Sequence, residues 1–518
     1  MKQQFAVVVG DSPAVGMTRS IRVCESLARP CIKRRLIEVV GFMLRTIILL
    51  IALLVGTSNS LAGRPPNIVL IFTDDQGYQD VGCFGSPDIQ TPHLDRMAAE
   101  GMKLTDFYVA SPVCSASRAA LMTGCYCDRV SVTGVFFPRH RQGLNPKEIT
   151  VAELLRQQGY ATACIGKWHL GHRPAFLPTR QGFDSYFGIP YSNDMKLDRE
   201  ADFAVNAEFR QGVTSESAQI EKPKKNWVPL MRDEQIVEYP ADQTTLTQRY
   251  TEEALKFVRA NQDRPFFLYL PHTMPHIPLF ASDKFLGKNT ERGIYGDVIE
   301  EIDDSVGQIM DLLKRLKLDK DTLIWFTSDN GPWLSTGINS GSALPLRDGK
   351  FTTYEGGMRV PCIVRWPGHV PAGTLCNEVA GTIDLLPTFA ELAGVDLQQS
   401  LVTDGHQQII DGHSIVDLIE AREGAESPHE AYFYRQDAVR MGKWKLRTRG
   451  KGRVKSKGGI RFPQLFDLRQ DVSELHNLAA EHPKQVAKME AALQAHNSRL
   501  KNERRPIGEE KPVVSTPK

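Results

Sequence analysis

The sequence predicts an α/β fold, a large and mostly parallel mixed sheet sandwiched by helices, with a smaller C-terminal α+β subdomain containing an antiparallel sheet. Three observations lead there. Short β-rich apolar runs alternate with stretches of helical period, four of those runs end in residues capable of chemistry, and the pattern changes after about residue 390. With 518 residues the chain can bury a large core, and an apolar fraction of 41% with a mean hydropathy of -0.29 places it among folded globular proteins. A formal net charge of +2 gives no overall electrostatic footprint for nucleic acid, so a partner has to be sought locally.

Residues 1–62 read as a leader. The apolar run Arg45-Thr-Ile-Ile-Leu-Leu-Ile-Ala-Leu-Leu-Val-Gly56 lies behind Arg34, Arg35 and Arg45 and precedes Ser60-Leu-Ala62, a small-x-small cleavage pattern. The run is shorter than the ~20 apolar residues of a spanning helix, which favours a cleaved signal peptide over a stable membrane span. Met43 would open a leader of ordinary length and is an alternative start. The expected location is therefore exported, periplasmic or extracellular. Of the cysteines, Cys24 and Cys31 fall in the leader. Cys164 and Cys362 sit in apolar strand-like runs and read as core, and Cys125 and Cys127 lack the companions of a zinc site.

The strands follow in order. Asn67–Thr73 runs into Asp74 and Asp75, Ala161–Ile165 into Gly166-Lys-Trp-His169, Pro265–Leu270 towards His272 and His276, and Thr322–Ser328 into Asp329 and Asn330. Parallel sheets bind ligands outside the carboxyl ends of their strands, so four such tips predict one shared site. Thr247–Asn261 and Ile294–Leu316 carry apolar residues at a spacing near 3.6 and should be helices covering the sheet. Past residue 390, Arg440–Arg447 and Gln464–Leu468 read as strands of a small antiparallel sheet, and Glu481–Lys501 as a closing helix. Between those strands, residues 447–461 hold seven basic residues and no acidic one, a solvated loop or an electrostatic guide for a polyanion.

Adjacent carboxylates at a strand end repel each other unless a cation lies between them. Asp74 with Asp75 and Asp329 with Asn330 make an all-oxygen donor set suited to calcium rather than zinc. Any single pair is equally well a turn or a helix cap; two at equivalent strand ends point to metal. Lys167, His169, His276 and Lys350 add cations and proton-transfer groups, and Arg118 lies one helical turn beyond Cys114. Together they describe a site for a tetrahedral oxyanion that protonates a leaving alcohol.

With these residues in view, the chain resembles the type I sulfatases of the alkaline phosphatase superfamily. The matching runs are NIVLIFTDDQGYQDVGCFG, TPHLDRMAAEG, CSASRAALMTG, GKWHLG, PHTMPHIP, TSDNG and GKFTTYEGGMRVP, in the family's order, with a family-like FDLRQDVSELHNLA near the C-terminus. The resemblance implies that Cys114 is oxidised by a maturase to Cα-formylglycine, whose hydrate attacks sulfur. It implies a single Ca2+ at Asp74, Asp75, Asp329 and Asn330, with residue 114 completing the set and Arg118 helping to hold it. Lys167, Lys350 and His276 resemble the sulfate-binding set, with His276 or Lys350 protonating the leaving oxygen, and His169 resembles the base that releases sulfate. His272 is left open. Ala116 stands where the commoner signature has Pro, which puts the identity of the maturase in question. Residues 63–389 read as the catalytic domain by resemblance, 390–502 as the C-terminal subdomain from the change of pattern, and 503–518, rich in Lys, Glu and Pro, as a disordered tail. The implied substrate is a sulfated carbohydrate or aryl sulfate. The rival readings are a phosphate mono- or diester hydrolase of the same superfamily and an inactive glycan-binding relative.

Overall fold

The structure is a computed structural model that describes residues 64–450, 452 and 461–511. The leader, most of the basic loop and residues 512–518 lie outside the described residues. In the main sheet the strands are β1 (Asn67–Thr73), β2 (Met102–Leu104), β3 (Ala161–Ile165), β4 (Ser185–Gly188), β5 (Phe203–Phe209), β6 (Leu230–Arg232), β7 (Gln235–Tyr239), β8 (Phe266–Pro271), β9 (Thr322–Ser328), β10 (Cys362–Arg365) and β11 (Thr374–Cys376). Their order is β11-β2-β10-β9-β1-β8-β3-β4-β6-β7-β5. The central run from β9 to β4 is parallel throughout, and β10 joins it antiparallel.

All seven residues of β1 are buried because both faces of the sheet are covered, which is why the strand reads as one unbroken apolar run. Its side chains alternate between two cores. Ile68, Leu70 and Phe72 meet α2 (Cys114–Thr123), α3 (Val151–Gln157) and α6 (Leu385–Leu392), whereas Val69 and Ile71 meet α1 (Pro92–Ala99), α4 (Leu246–Ala260) and α5 (Ile294–Arg315). The two helices expected from periodicity are α4 and α5. Cys164 and Cys362 are buried core residues, and every cysteine among the described residues is a free thiol.

The small antiparallel sheet comprises β12 (Tyr432–Tyr434), β13 (Ala438–Met441), β14 (Trp444–Arg447) and β15 (Gln464–Asp467). The run 440–447 is a hairpin rather than one strand: Gly442 takes a positive φ of 57°, so the chain reverses at Gly442–Lys443 and pairs with itself. Val439, Leu446 and Leu465 pack on Val486, Met489 and Leu493 of α7 (Pro483–Asn502).

The disordered tail expected from residue 503 is corrected for residues 503–511. Arg505 Nη2 meets Glu148 Oε2 at 2.7 Å, and Gly508–Glu509 pair antiparallel with Gln142–Gly143. Its Lys, Glu and Pro content suggested a solvated chain, but the Glu148 carboxylate that anchors it lies 357 residues away. Among the described residues no helix is long and apolar enough to cross a membrane.

Candidate active site

Four neighbouring strands, β9, β1, β8 and β3, deliver their C-terminal residues to one place. Thr73 pairs with Ser328, so the two acidic tips start side by side, and the Asp75 backbone N–H donates to Asp329 Oδ1 at 3.1 Å. Asp75 and His169 both sit in the left-handed region, with φ of 66° and 63°, backbone strain of the kind that surrounding structure enforces at functional positions. Gly166 is required where it stands: its φ is 134°, and a Cβ there would lie 1.9 Å from the Pro271 carbonyl oxygen. That close approach lets the Lys167 N–H donate to the same oxygen at 2.7 Å. From outside the sheet, Cys114 opens α2, and a loop after β9 brings in Lys350, whose N–H donates to the Pro332 carbonyl at 3.0 Å.

Cys114 is buried, with Lys350 Nζ 3.3 Å from its Sγ. The same ammonium meets Asp75 Oδ1 at 2.6 Å and Oδ2 at 2.8 Å. Burial pushes the Cys114 thiol well above its ordinary value, against the pull of Lys167 and Lys350, so the encoded side chain is a neutral thiol and a poor nucleophile. Burial opposes the charges of Asp74 and Lys350 too. For Asp74 the cations, Lys167 first and Arg118 among them, outweigh it and hold the carboxyl well below the usual range; for Lys350 the anions, Asp75 first, keep the ammonium protonated. Lys167 Nζ pairs with Asp74 Oδ2. Arg118, fully buried, donates Nε to Asp329 Oδ2 at 3.0 Å and Nη1 to the Lys167 carbonyl at 2.9 Å.

His169 Nε2 lies 3.0 Å from the Phe136 carbonyl, which can only accept, so this nitrogen carries the proton and Nδ1 is left as a buried lone pair with no protein partner. Burial, then Lys167 and Arg118, hold the ring well below its ordinary value and keep it neutral. His276 is oriented the other way. Its Nδ1 faces Asn193 Oδ1 at 3.1 Å and the Ile277 carbonyl at 2.6 Å, leaving Nε2 3.7 Å from Asp75 Oδ2.

The donor set suits a hard cation. Asp74 Oδ1 and Asn330 Oδ1 are buried without a hydrogen-bond partner, and Asp74, Asp75, Cys114 and His276 offer ligand atoms within 4.8 Å of one another. Carboxylate and amide oxygens predominate, as calcium favours. Asp329 is less available than its sequence position suggests: Arg118 and the Asp75 N–H engage its oxygens, and its carboxyl is raised to about 7 by burial and by Asp74.

His272 stands apart, with Nε2 3.4 Å from Ser305 Oγ on α5 and its ring against Tyr250 on α4. Three contributors were not singled out from sequence. Ser192 Oγ bridges Lys167 Nζ at 3.3 Å and the His276 ring at 3.4 Å, Asn193 fixes the His276 tautomer, and the Trp333 ring lies 4.9 Å from Lys350 Nζ. Nothing in the run Gly188-Ile-Pro-Tyr-Ser-Asn-Asp-Met195 marks Ser192 and Asn193 individually. Trp333 follows the TSDNG run by two residues, and that proximity was its one available signal.

The family profile described as "Sulfatase" matches residues 66–395, well over half of the chain. The chain belongs to the sulfatase family. A second profile, "N-sulphoglucosamine sulphohydrolase, C-terminal", matches residues 347–503 of this sulfatase. It is 38% identical over 426 residues to N-acetylgalactosamine-6-sulfatase of Canis lupus familiaris, covering 77% of this chain and 74% of the relative. It is 38% identical over 457 residues to human arylsulfatase A, covering 83% and 86%. The solved structure of Ps i-CgsB in complex with k-i-k-neocarrahexaose superposes with a TM-score of 0.69 at 32% identity, covering 83% of this sulfatase and 92% of that chain. The enzyme is a sulfuric ester hydrolase.

Proposed function

We propose that this sulfatase removes sulfate from sulfated carbohydrates, with Cys114 matured to Cα-formylglycine and one calcium ion held by Asp74, Asp75, Asp329 and Asn330. The observation that carries the reading is Cys114 itself. Its thiol opens α2 inside CSASR, 3.3 Å from the Lys350 ammonium, where burial favours the neutral thiol, a weak nucleophile, which supports conversion of the residue to a better one. Matured and hydrated, residue 114 would supply one hydroxyl to attack sulfur and a second to expel sulfate, and a calcium ion held by Asp74, Asp75, Asp329 and Asn330 would offset the negative charge of the site.

The encoded side chains do the rest. Lys167, Lys350 and His276 bind the sulfate oxygens, and Arg118 fixes Asp329 and the Lys167 carbonyl, holding the strand tips together. The Lys350 ammonium gives a proton to the leaving oxygen; His276, whose Nδ1 proton is held by Asn193 and the Ile277 carbonyl, can do so from Nε2 only as the imidazolium, which burial and Lys350 disfavour. His169, with a bare Nδ1, takes the proton released when sulfate departs. The carbohydrate class is supported by the names of relatives that act on N-acetylgalactosamine sulfate or bind a carrageenan oligosaccharide. The apolar leader-like run supports export, and CSASR supports a maturase partner.

The test is mass spectrometry of the tryptic peptide containing residue 114, from protein coexpressed with a formylglycine-generating maturase. The aldehyde mass should appear together with sulfatase turnover. Cys114→Ser should fold normally and lose multiple turnover, because serine has no second hydroxyl. Full turnover by that variant would refute the mechanism.

A further inference from the structure

We propose that the cleft beside the two histidines is a subsite for anionic sugar residues flanking the scissile sulfate, an inference that rests on the sulfate-ester reading above. The cleft measures about 550 Å³, within the range of small-ligand sites. Two of its lining residues are chain neighbours of residues that hold the histidines. Phe137 lines it and adjoins Phe136, whose carbonyl holds His169; Asp194 lines it and adjoins Asn193, which holds His276.

Its wall is apolar where a sugar ring would lie, with Met195 and Leu197 buried beneath it. Four cations line it, Arg139, Lys196, Arg199 and Lys225. Two of its three carboxylates are already neutralised from behind. Asp198 pairs with His172 Nε2 at 2.8 Å and Arg173 Nη2 at 3.2 Å, and Glu200 with Arg141 Nη1 at 2.6 Å and Arg173 Nη1 at 2.7 Å. Among the described residues no carboxylate pairs with Lys196, Lys225, Arg139 or Arg199: Arg139 stacks on the Phe137 ring at 4.8 Å, and Arg199 donates only to the Glu221 carbonyl. Asp194 is the remaining opposing charge, so the cleft keeps a surplus of positive charge over an apolar floor. That combination recognises a ring carrying sulfate or carboxylate groups, not a neutral sugar.

The test uses the full chain carrying Cys114→Ala, which binds without turnover, with and without Lys196→Ser, Arg199→Ser and Lys225→Ser. Calorimetry with a chondroitin 6-sulfate hexasaccharide and with an ι-carrageenan hexasaccharide reads the affinity at low and high salt. Removing three exposed charges should weaken binding of at least one probe roughly tenfold at low salt. The difference should fade as salt screens it. Equal affinities, or no binding of either probe to the parent, overturn the subsite. Sulfate release from a small aryl ester by the matured Cys114 enzyme reports separately on the reaction. Release with unaltered hexasaccharide binding defeats the subsite alone, and no release from any ester defeats the functional reading.

Discussion

Replacing Lys445 by Met should destabilise the fold by about 3–5 kcal/mol, the range for breaking a fully buried ion pair. Lys445 Nζ lies 2.8 Å from Glu355 Oε1 and 2.9 Å from Glu474 Oε1, with all three side chains inaccessible to solvent. Burial works against both carboxylates. In Glu355 it is outweighed by Lys445, Arg359 and Arg440, which bring the carboxyl down to about 2, whereas Glu474 stays above its ordinary value. The two partners therefore move in opposite directions, and one ammonium holds two acids together. Without it, Glu355 retains the Tyr108 and Tyr434 hydroxyls at 2.7 and 2.8 Å, while Glu474 keeps only the Glu355 backbone N–H at 2.7 Å and faces a like charge. An unfolding entropy of ~2.1 cal/mol/K per residue gives about 1 kcal/mol/K for the compact unit from Arg64 onward, so Tm should fall by about 3–5 °C. The assay is differential scanning calorimetry at pH 5 and pH 8. In the parent, the Glu355 contribution is present above its unfolded value near 4.5 and is lost as pH falls through about 2, so the pair is intact at both pH values. In the variant one carboxyl can take up a proton at the lower pH, and the deficit should be smaller at pH 5. Adding Glu474→Gln should restore part of the loss. A Tm drop under about 1 °C, or a double variant no better than the single one, would refute this account.

Three further outcomes are expected. Protein treated with a chelator should regain both activity and thermal stability with calcium, and Asp75→Asn should lower turnover by orders of magnitude; recovery with zinc but not calcium would reject the metal assignment. Burial opposes the charge on His429, but the Asp384 carboxylate 2.9 Å away raises its value above the ordinary one. The stabilisation is thus present below the unfolded value near 6.5 and is lost as pH rises through the raised one. His429→Gln should therefore lower Tm more at pH 5.5 than at pH 8.5, and equal losses at both would count against this assignment.

The strands that carry the site were legible because each is covered on both faces and so is written as a local apolar run ending in polar residues. Asn67–Thr73 with Asp74 and Asp75 is the clearest case, and α4 and α5 follow from spacing in the same way. The C-terminal pattern was harder. The run 440–447 reads as one strand until Gly442 is seen to reverse it, and the acidic, basic and Pro-containing stretch 503–511 reads as solvated until Glu148 and Gln142 are brought beside it.

The fold class, the acidic tips, the CSASR run and the set of cations are all written locally, since each is a property of neighbouring residues. How those groups pair emerges only when distant segments fold together. Lys350 reaches Asp75 across 275 positions, and Arg118 reaches Asp329 across 211. The same is true of the histidine tautomers, set by the Phe136 carbonyl and Asn193, and of the cationic cleft, assembled from three separate segments. Charge state and proton position depend on burial and on what lies within a few ångströms, and chain folding sets both without writing either into local sequence.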